Sequence, residues 1–222
     1  PTAPAGYTRR LYRSVKSEYV LVADELYPKD EDDLKPGDRT YTDTGTLLGG
    51  QLQGSAVELR SRLQEFQTAL QRPCFAEQFI DGREFNISLL ANADGCQVLP
   101  AAEIDFSTFP AGKPRLVGYR AKWDPTTFEF HNTPRRFGFP PQDGPLVERI
   151  GELARACWDL FGLGGYVRVD FRVDPDGQPW ILEVNTNPCL SPDAGFAAAL
   201  QQAGIGSDEA VARILTDALK AG

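Results

Sequence analysis

Between residues 166 and 185 the chain alternates apolar and polar side chains with the period of a β-strand. In Tyr166-Val-Arg-Val-Asp-Phe-Arg-Val, one face carries Val167, Val169, Phe171 and Val173, and the other Tyr166, Arg168, Asp170 and Arg172. The turn residues Asp174-Pro-Asp-Gly-Gln-Pro follow. The chain then returns as Trp180-Ile-Leu-Glu-Val-Asn, with Leu182 and Val184 on one face and Ile181, Glu183 and Asn185 on the other. An antiparallel hairpin is predicted. With Pro175 to Gln178 as its loop, Asp170 stands opposite Glu183 and Arg168 opposite Asn185.

Other stretches repeat at helical spacing. Ser55 and Glu58 fit a capping box ahead of Leu59, Leu63, Phe66 and Leu70, in a helix that ends before Pro73. Leu146 to Phe161 reads as a helix with Leu153, Cys157 and Leu160 on one face, stopped by Gly162, Gly164 and Gly165. Two more helices, Ser191 to Leu200 and Asp208 to Lys220, close the sequence. Phe75 to Ile80, Phe85 to Leu90 and Gln97 to Phe106 are strand-like and separated by Asp81-Gly82 and Asp94-Gly95, which predicts an antiparallel meander. Pro28 to Asp38, Gly45 to Gly50 and Ser107 to Gly144 read as loop or irregular chain.

Composition narrows the function classes. With 41% hydrophobic and 24% charged residues and no apolar run near the ~20 that a membrane helix needs, the 222-residue chain reads as a soluble globular protein of one domain or two lobes. No signal or transit peptide is legible at the start, so a cytoplasmic home is expected. A net charge of −8 disfavours nucleic acid and membrane surfaces, which select clustered Lys and Arg. Cys74, Cys96, Cys157 and Cys189 lie too far apart for a zinc motif, and the single His131 speaks against Ser-His or Cys-His catalysis.

The predicted register puts two carboxylates face to face. Opposed residues bring their Cβ atoms to about 4.5–5.5 Å, where like charges destabilise a strand pair unless positive charge lies between them. A divalent cation would supply it. Hard oxygen ligands without sulfur or imidazole favour Mg²⁺ or Mn²⁺, whose shells substrate phosphates complete, and Arg168 beside the metal would neutralise a transferring phosphoryl group. The plainer alternative is that these polar residues form only the wet face of a sheet.

The motif Arg168-Val-Asp170-Phe followed by Leu182-Glu183-Val-Asn185-Thr-Asn-Pro188 resembles the signature of the D-alanine:D-alanine ligase branch of the ATP-grasp superfamily. Glu77-Gln-Phe-Ile-Asp-Gly-Arg-Glu84-Phe is similar to that family's hinge strand, Val98-Leu-Pro-Ala-Ala-Glu103-Ile to its next strand, and Ala121-Lys122-Trp123 to its central Ala-Lys motif. The resemblance implies an α+β ATP-grasp fold of mainly antiparallel sheets flanked by helices, with an atypical or partial first lobe over residues 1–72 and a second lobe with the metal site over 73–222. It implies ATP and Mg²⁺ as cofactors. Asp170, Glu183 and Asn185 would hold metal, and Arg168 would stabilise the transition state leading to an acyl phosphate. Lys122 would meet a nucleotide phosphate and Glu84 the ribose, while the backbone of Gln78, Phe79 and Ile80, just after Glu77, would read adenine. The implied reaction joins a small-molecule carboxylate to an amine, and catalysis by positioning and charge neutralisation needs no nucleophilic side chain.

The sequence departs from that pattern in places. No counterpart of the family's preceding substrate domain is legible, so a homodimer or a partner chain or domain is expected to supply it. Lys16 and Lys35 both compete for the first-lobe phosphate position, and neither stands at the usual distance from Gly45 to Gly50. Cys189-Leu-Ser191-Pro-Asp-Ala-Gly-Phe replaces the family's glycine and a later serine that grips the substrate carboxylate, which argues against strict D-alanine specificity. Cys189 itself is expected to fill a gap in the core. Two rivals to a ligase follow. One is a non-catalytic or nucleotide-binding scaffold derived from such a ligase; the other is a metal-dependent phosphate-processing enzyme such as a nuclease, disfavoured by the acidic charge.

Overall fold

A computed structural model describes residues 20–22, 56–70, 75–77 and 79–220. The described residues group into two compact units, one of residues 20–22, 56–70, 75–77, 79 and 117–127 and the other of residues 80–116 and 128–220. The sequence reading drew a single boundary between residues 72 and 73.

In the first unit, strand β1 (Val20–Val22) pairs antiparallel with β2 (Phe75–Glu77). Helix α1 runs from Ala56 to Leu70, as its spacing predicts, and a short helix α2 covers Tyr119–Trp123. Lys16, Lys35 and Gly45 to Gly50 lie outside the described residues.

The second unit is built on β3 (Arg83–Asn92), which pairs antiparallel with β4 (Gly95–Val98) and β5 (Ala102–Ile104) on one edge and with β7 (Tyr166–Val173) on the other. Beyond them lie β6 (Arg135–Arg136) and β8 (Pro179–Asn185), giving the path β6-β5-β3-β7-β8. The expected meander is corrected here in two respects. First, β2 does not form a hairpin with β3 but pairs with β1. Asp81-Gly82 redirects the chain between sheets: Gly82 has φ 136°, and a Cβ there would lie 2.0 Å from the Val173 carbonyl oxygen. Second, the expected strand Gln97 to Phe106 is two strands, because Pro100 has no N–H to donate to a ladder.

The face formed by Phe85, Ile87, Leu89, Val167, Val169, Phe171 and Val173 is covered by helix α4 (Gly144–Phe161) through Ile150, Ala154, Cys157 and Trp158. Burying Phe85 and Phe171 completely contributes about 1.5–3 kcal/mol each. Gly162 closes α4 in the left-handed conformation. Leu160, expected on the buried stripe, is 76% exposed; Trp158 takes the inward position. On the opposite face, Leu90 and Leu99 pack against α5 (Gly195–Gln202) and α6 (Ser207–Lys220) through Phe196, Ala199, Leu200 and Ala210. Both faces of β3 are therefore dry along Ile87 to Ala91. Residues 191–194, expected to be helical, form a turn ahead of α5. Within the stretch read as irregular lie α2, α3 (Phe128–His131), β6 and a single 3-10 turn (Pro141–Asp143). No helix among the described residues is long and apolar enough to cross a membrane.

Candidate functional site

The α5 side of the sheet carries a row of polar residues away from its apolar end. The ladders place Arg168 opposite Asn185, Asp170 opposite Glu183, Asn86 opposite Asp170, and Glu84 opposite Arg172. The three residues expected to hold metal, Asp170, Glu183 and Asn185, and Arg168, expected at the transition state, are thus together on two adjacent strands.

The register holds for a reason absent from the sequence reading. The loop is five residues, Asp174 to Gln178, and Val173 pairs with Pro179, one step out of the expected register. A bulge between Phe171–Ile181 and Asp170–Glu183 inserts Leu182 and restores the step before the polar pairs are reached. The bulge also corrects one face: Ile181 was expected beside Glu183 but stands opposite Phe171 and packs, like Val184, on the apolar core.

Asp170 is buried, and its carboxylate is held firmly. Arg168 donates from Nε to Oδ1 at 2.7 Å and from Nη2 to Oδ2 at 2.8 Å, and Asn86 Nδ2 donates to Oδ1 at 2.8 Å. The Asp170 charge, outweighing the cost of burial, drives the Arg168 pKa above its ordinary value, with Glu183 and Glu84 adding to it. Arg168 itself therefore supplies positive charge against the nearer of the facing carboxylates. Asn185 Oδ1 accepts from the Asn187 N–H at 2.9 Å, and Tyr166 Oη donates to Asn187 Oδ1 at 2.5 Å, so the segment after β8 is tied back to β7. Burial, aided by Cys189, raises the Tyr166 pKa.

The donors available to a cation are two carboxylates and one amide oxygen, all hard; among the described residues no group of three or more His, Cys, Asp or Glu is placed to hold a metal ion. Such a set fits Mg²⁺, which binds few protein ligands and takes the rest of its octahedron from water and phosphate.

Glu84 lies on the same face, 6% exposed, where Arg172 Nη1 donates to its Oε2 at 3.2 Å. Arg172 also donates from Nε to the Ile80 carbonyl at 2.9 Å and from Nη2 to the Gly82 carbonyl at 3.2 Å, so one guanidinium fixes the start of β3. Glu77 lies in β2 and Phe79 is half-buried, both in the first unit; Ile80 begins the second; Gln78 is outside the described residues. Lys122 is exposed on α2 in the first unit. Cys189 is exposed, with Sγ 2.9 Å from Ser191 Oγ, and does not fill the core as expected; among the described residues Cys96 and Cys157 are the buried thiols, their pKa values raised by burial.

Sequence reasoning missed Asn86 and the partnership of Arg172. The first had a legible signal: Glu84, Asn86 and Ser88 alternate through an apolar run on the face that carries Asp170.

The antiparallel sheet with its flanking helices is the architecture of ATP-grasp proteins. D-alanine--D-alanine ligase from Bacillus anthracis, solved in complex with ATP, superposes with a TM-score of 0.56 at 21% identity, covering 91% of this chain and 60% of that one. Residues 45–216 match the family described as the D-ala D-ala ligase C-terminus, and the chain belongs to that family. Curated D-alanine--D-alanine ligases agree. That of Halorhodospira halophila is 32% identical over 200 residues, 84% of this chain and 60% of the relative. That of Synechococcus sp. strain JA-2-3B'a(2-13) is 33% identical over 204 residues, 85% and 57% respectively. The chain spans about half the length of the curated relatives it matches.

Proposed function

We propose that this chain carries the catalytic part of an ATP- and Mg²⁺-dependent ligase that joins a carboxylate to an amine through an acyl phosphate. The observation that carries the reading is the β7–β8 pairing, which sets Asp170 against Glu183 and Arg168 against Asn185 on one face. Asp170, Glu183 and Asn185 would hold Mg²⁺, which supplies charge neutralisation at the phosphates of the bound nucleotide. Arg168, fixed along β7 by Asp170, presents a preorganised guanidinium to the oxygens that gain charge as the phosphoryl group moves. Asn86 holds Asp170 from β3, so the carboxylate keeps its place when Arg168 shares its N–H groups with substrate. Glu84 serves the ribose, with Arg172 orienting its carboxylate. Glu77, Phe79 and Ile80, with Gln78, serve the adenine, and Lys122 a phosphate; these roles rest on the family motif. The amine then attacks the acyl phosphate, and phosphate leaves.

A second reading, a non-catalytic or nucleotide-binding relative, is favoured by one observation: both Asp170 oxygens already accept from Arg168. Calorimetric titration of ATP with and without Mg²⁺, on the chain and on an Asp170→Asn, Glu183→Gln variant, separates the two. Magnesium-dependent ATP binding that the variant loses supports the ligase. ATP binding indifferent to Mg²⁺ and to the variant supports the nucleotide-binding relative, and no binding by the wild-type chain sinks the claim that this chain holds a working nucleotide site.

A further inference from the structure

Helix α6 is apolar on two faces, and the fold covers one of them. The inner face carries Ala210, Arg213, Ile214 and Asp217, spaced as a single helical stripe. Ala210 and Ile214 pack on the core, Arg213 donates to the carbonyls of Ala91 and Leu90 and to Gln97, and Asp217 accepts from the Gly165 N–H at 2.7 Å. Turned away from it are Val211, Ala212, Leu215, Ala218 and Leu219, all exposed, Leu215 by 58% and Leu219 by 84%. A helix on the surface of a monomer carries polar side chains at such positions. The loop that follows α4 lies against Asp217 and Ile214 through Gly164 and Gly165, so α4 ends beside the second half of α6, with Leu160 and Phe161 exposed there.

Charge decides which partner suits this face. A membrane surface selects Lys and Arg around the apolar stripe. Helix α6 opens instead with Asp208 and Glu209 and has Lys220 in its last turn, on a chain of net charge −8, which disfavours anionic lipid. A second copy fits in one orientation. If two α6 helices lay parallel, their acidic first turns would meet. If they lie antiparallel about a two-fold axis at Leu215, Val211 of each copy meets Leu219 of the other and Leu215 meets its own equivalent, while Lys220 comes beside Asp208 and Glu209 of the other copy. The opposed helix dipoles favour the same arrangement.

We propose that α6 is the contact of a two-fold dimer of this chain, packed antiparallel through Val211, Leu215 and Leu219. A helix of 14 residues is about 21 Å long, too short to bury by itself the roughly 1,600 Å² of a standard interface, so the association is micromolar and not nanomolar. None of these residues belongs to the nucleotide or metal site, and the dimer stands or falls independently of the ligase reading.

Sedimentation equilibrium of the full chain over roughly 1–200 µM should show a monomer–dimer equilibrium with a Kd in that range. Leu215→Glu should raise the Kd about a hundredfold or more, because the two-fold axis sets the two new carboxylates against each other in an apolar contact. Unchanged circular dichroism and thermal unfolding verify that the substitution, at an exposed position, leaves the fold intact. Two charge variants test the orientation. Lys220→Glu, and the pair Asp208→Lys with Glu209→Lys, should each dimerise about threefold more weakly or worse, while an equimolar mixture of the two should associate about as tightly as wild type. A wild-type chain that stays monomeric to about 200 µM, a Leu215→Glu variant that dimerises like wild type, or a mixture no tighter than its components would each overturn the proposal. Binding of a monomeric wild-type chain to vesicles of phosphatidylcholine and phosphatidylglycerol would overturn it too, and would assign the face to lipid.

Discussion

Replacing Arg172 with methionine should cost the second unit about 4 kcal/mol. Arg172 is 2% exposed, and its guanidinium donates to the carbonyls of Ile80 and Gly82, to the Arg115 carbonyl and to Glu84. It thereby joins the chain entering β3, the β3 strand itself and the segment leading out of β5. Methionine fills much of the same volume, so the loss is electrostatic. Removing one partner of a buried ion pair costs about 3–5 kcal/mol, because the remaining charge keeps its desolvation without its Coulomb gain. The three carbonyls would each lose about 0.5–1.5 kcal/mol if the effects were independent, and sharing one donor group makes them less than additive. Against a total stability of about 5–15 kcal/mol, the variant would be marginal. Urea unfolding followed by circular dichroism measures it. The combination Arg172→Met, Glu84→Leu should recover much of the loss, since replacing a whole buried pair by apolar groups is often neutral. A single variant within about 1 kcal/mol of wild type, or a double variant no better than the single, would show that Arg172 is not the tie described here.

Two further outcomes follow from the geometry. Gly82→Ala should lower stability by at least about 2 kcal/mol in the same urea experiment, because the new Cβ meets a backbone carbonyl at 2.0 Å and φ 136° is strained for an L side chain. Acid should weaken the fold below about pH 4: Asp174, bonded by Trp180, and Asp143, bonded by Arg83, have pKa values below that of an unfolded Asp, so their contribution is present above about 3.9 and is lost as pH falls through the folded values. Stability of Asp174→Asn measured across that window should fall less steeply than wild type, and an identical slope would remove Asp174 from the account.

How much of this was legible in the sequence depends on the range of the interaction that fixed it. The β7–β8 hairpin, α1, α4 and α6 follow from local periodicity and turn residues, which a single strand or helix expresses by itself. The partners of β2 depended on the sheet to which each strand goes, and the turn Asp81-Gly82 is chemically the same whether it closes a hairpin or passes between sheets. Pro100 did carry a local signal, the missing donor that splits the expected third strand, and it lay in plain view.

The candidate site was legible for a less secure reason. A four-residue loop and a straight ladder yield the same Asp170–Glu183 pairing as a five-residue loop and one bulge, and the protein uses the second. The residues between the loop and the bulge distinguish them: Trp180 pairs with Arg172, and Ile181 turns inward to the core opposite Phe171 while Glu183 stays with the polar row. The bulge therefore separates two demands on one short strand. Its first half must bury Ile181 against Phe171, and its second half must present Glu183 and Asn185 to the opposite face, which a strict alternation from Ile181 onward cannot do while also placing Val184 in the core. Arg168 and Asp170 need no such device, because β7 alternates without interruption from Tyr166 to Val173. The irregularity falls on the strand that supplies the second carboxylate. There one inserted residue, Leu182, decides whether Glu183 faces Asp170 or the core.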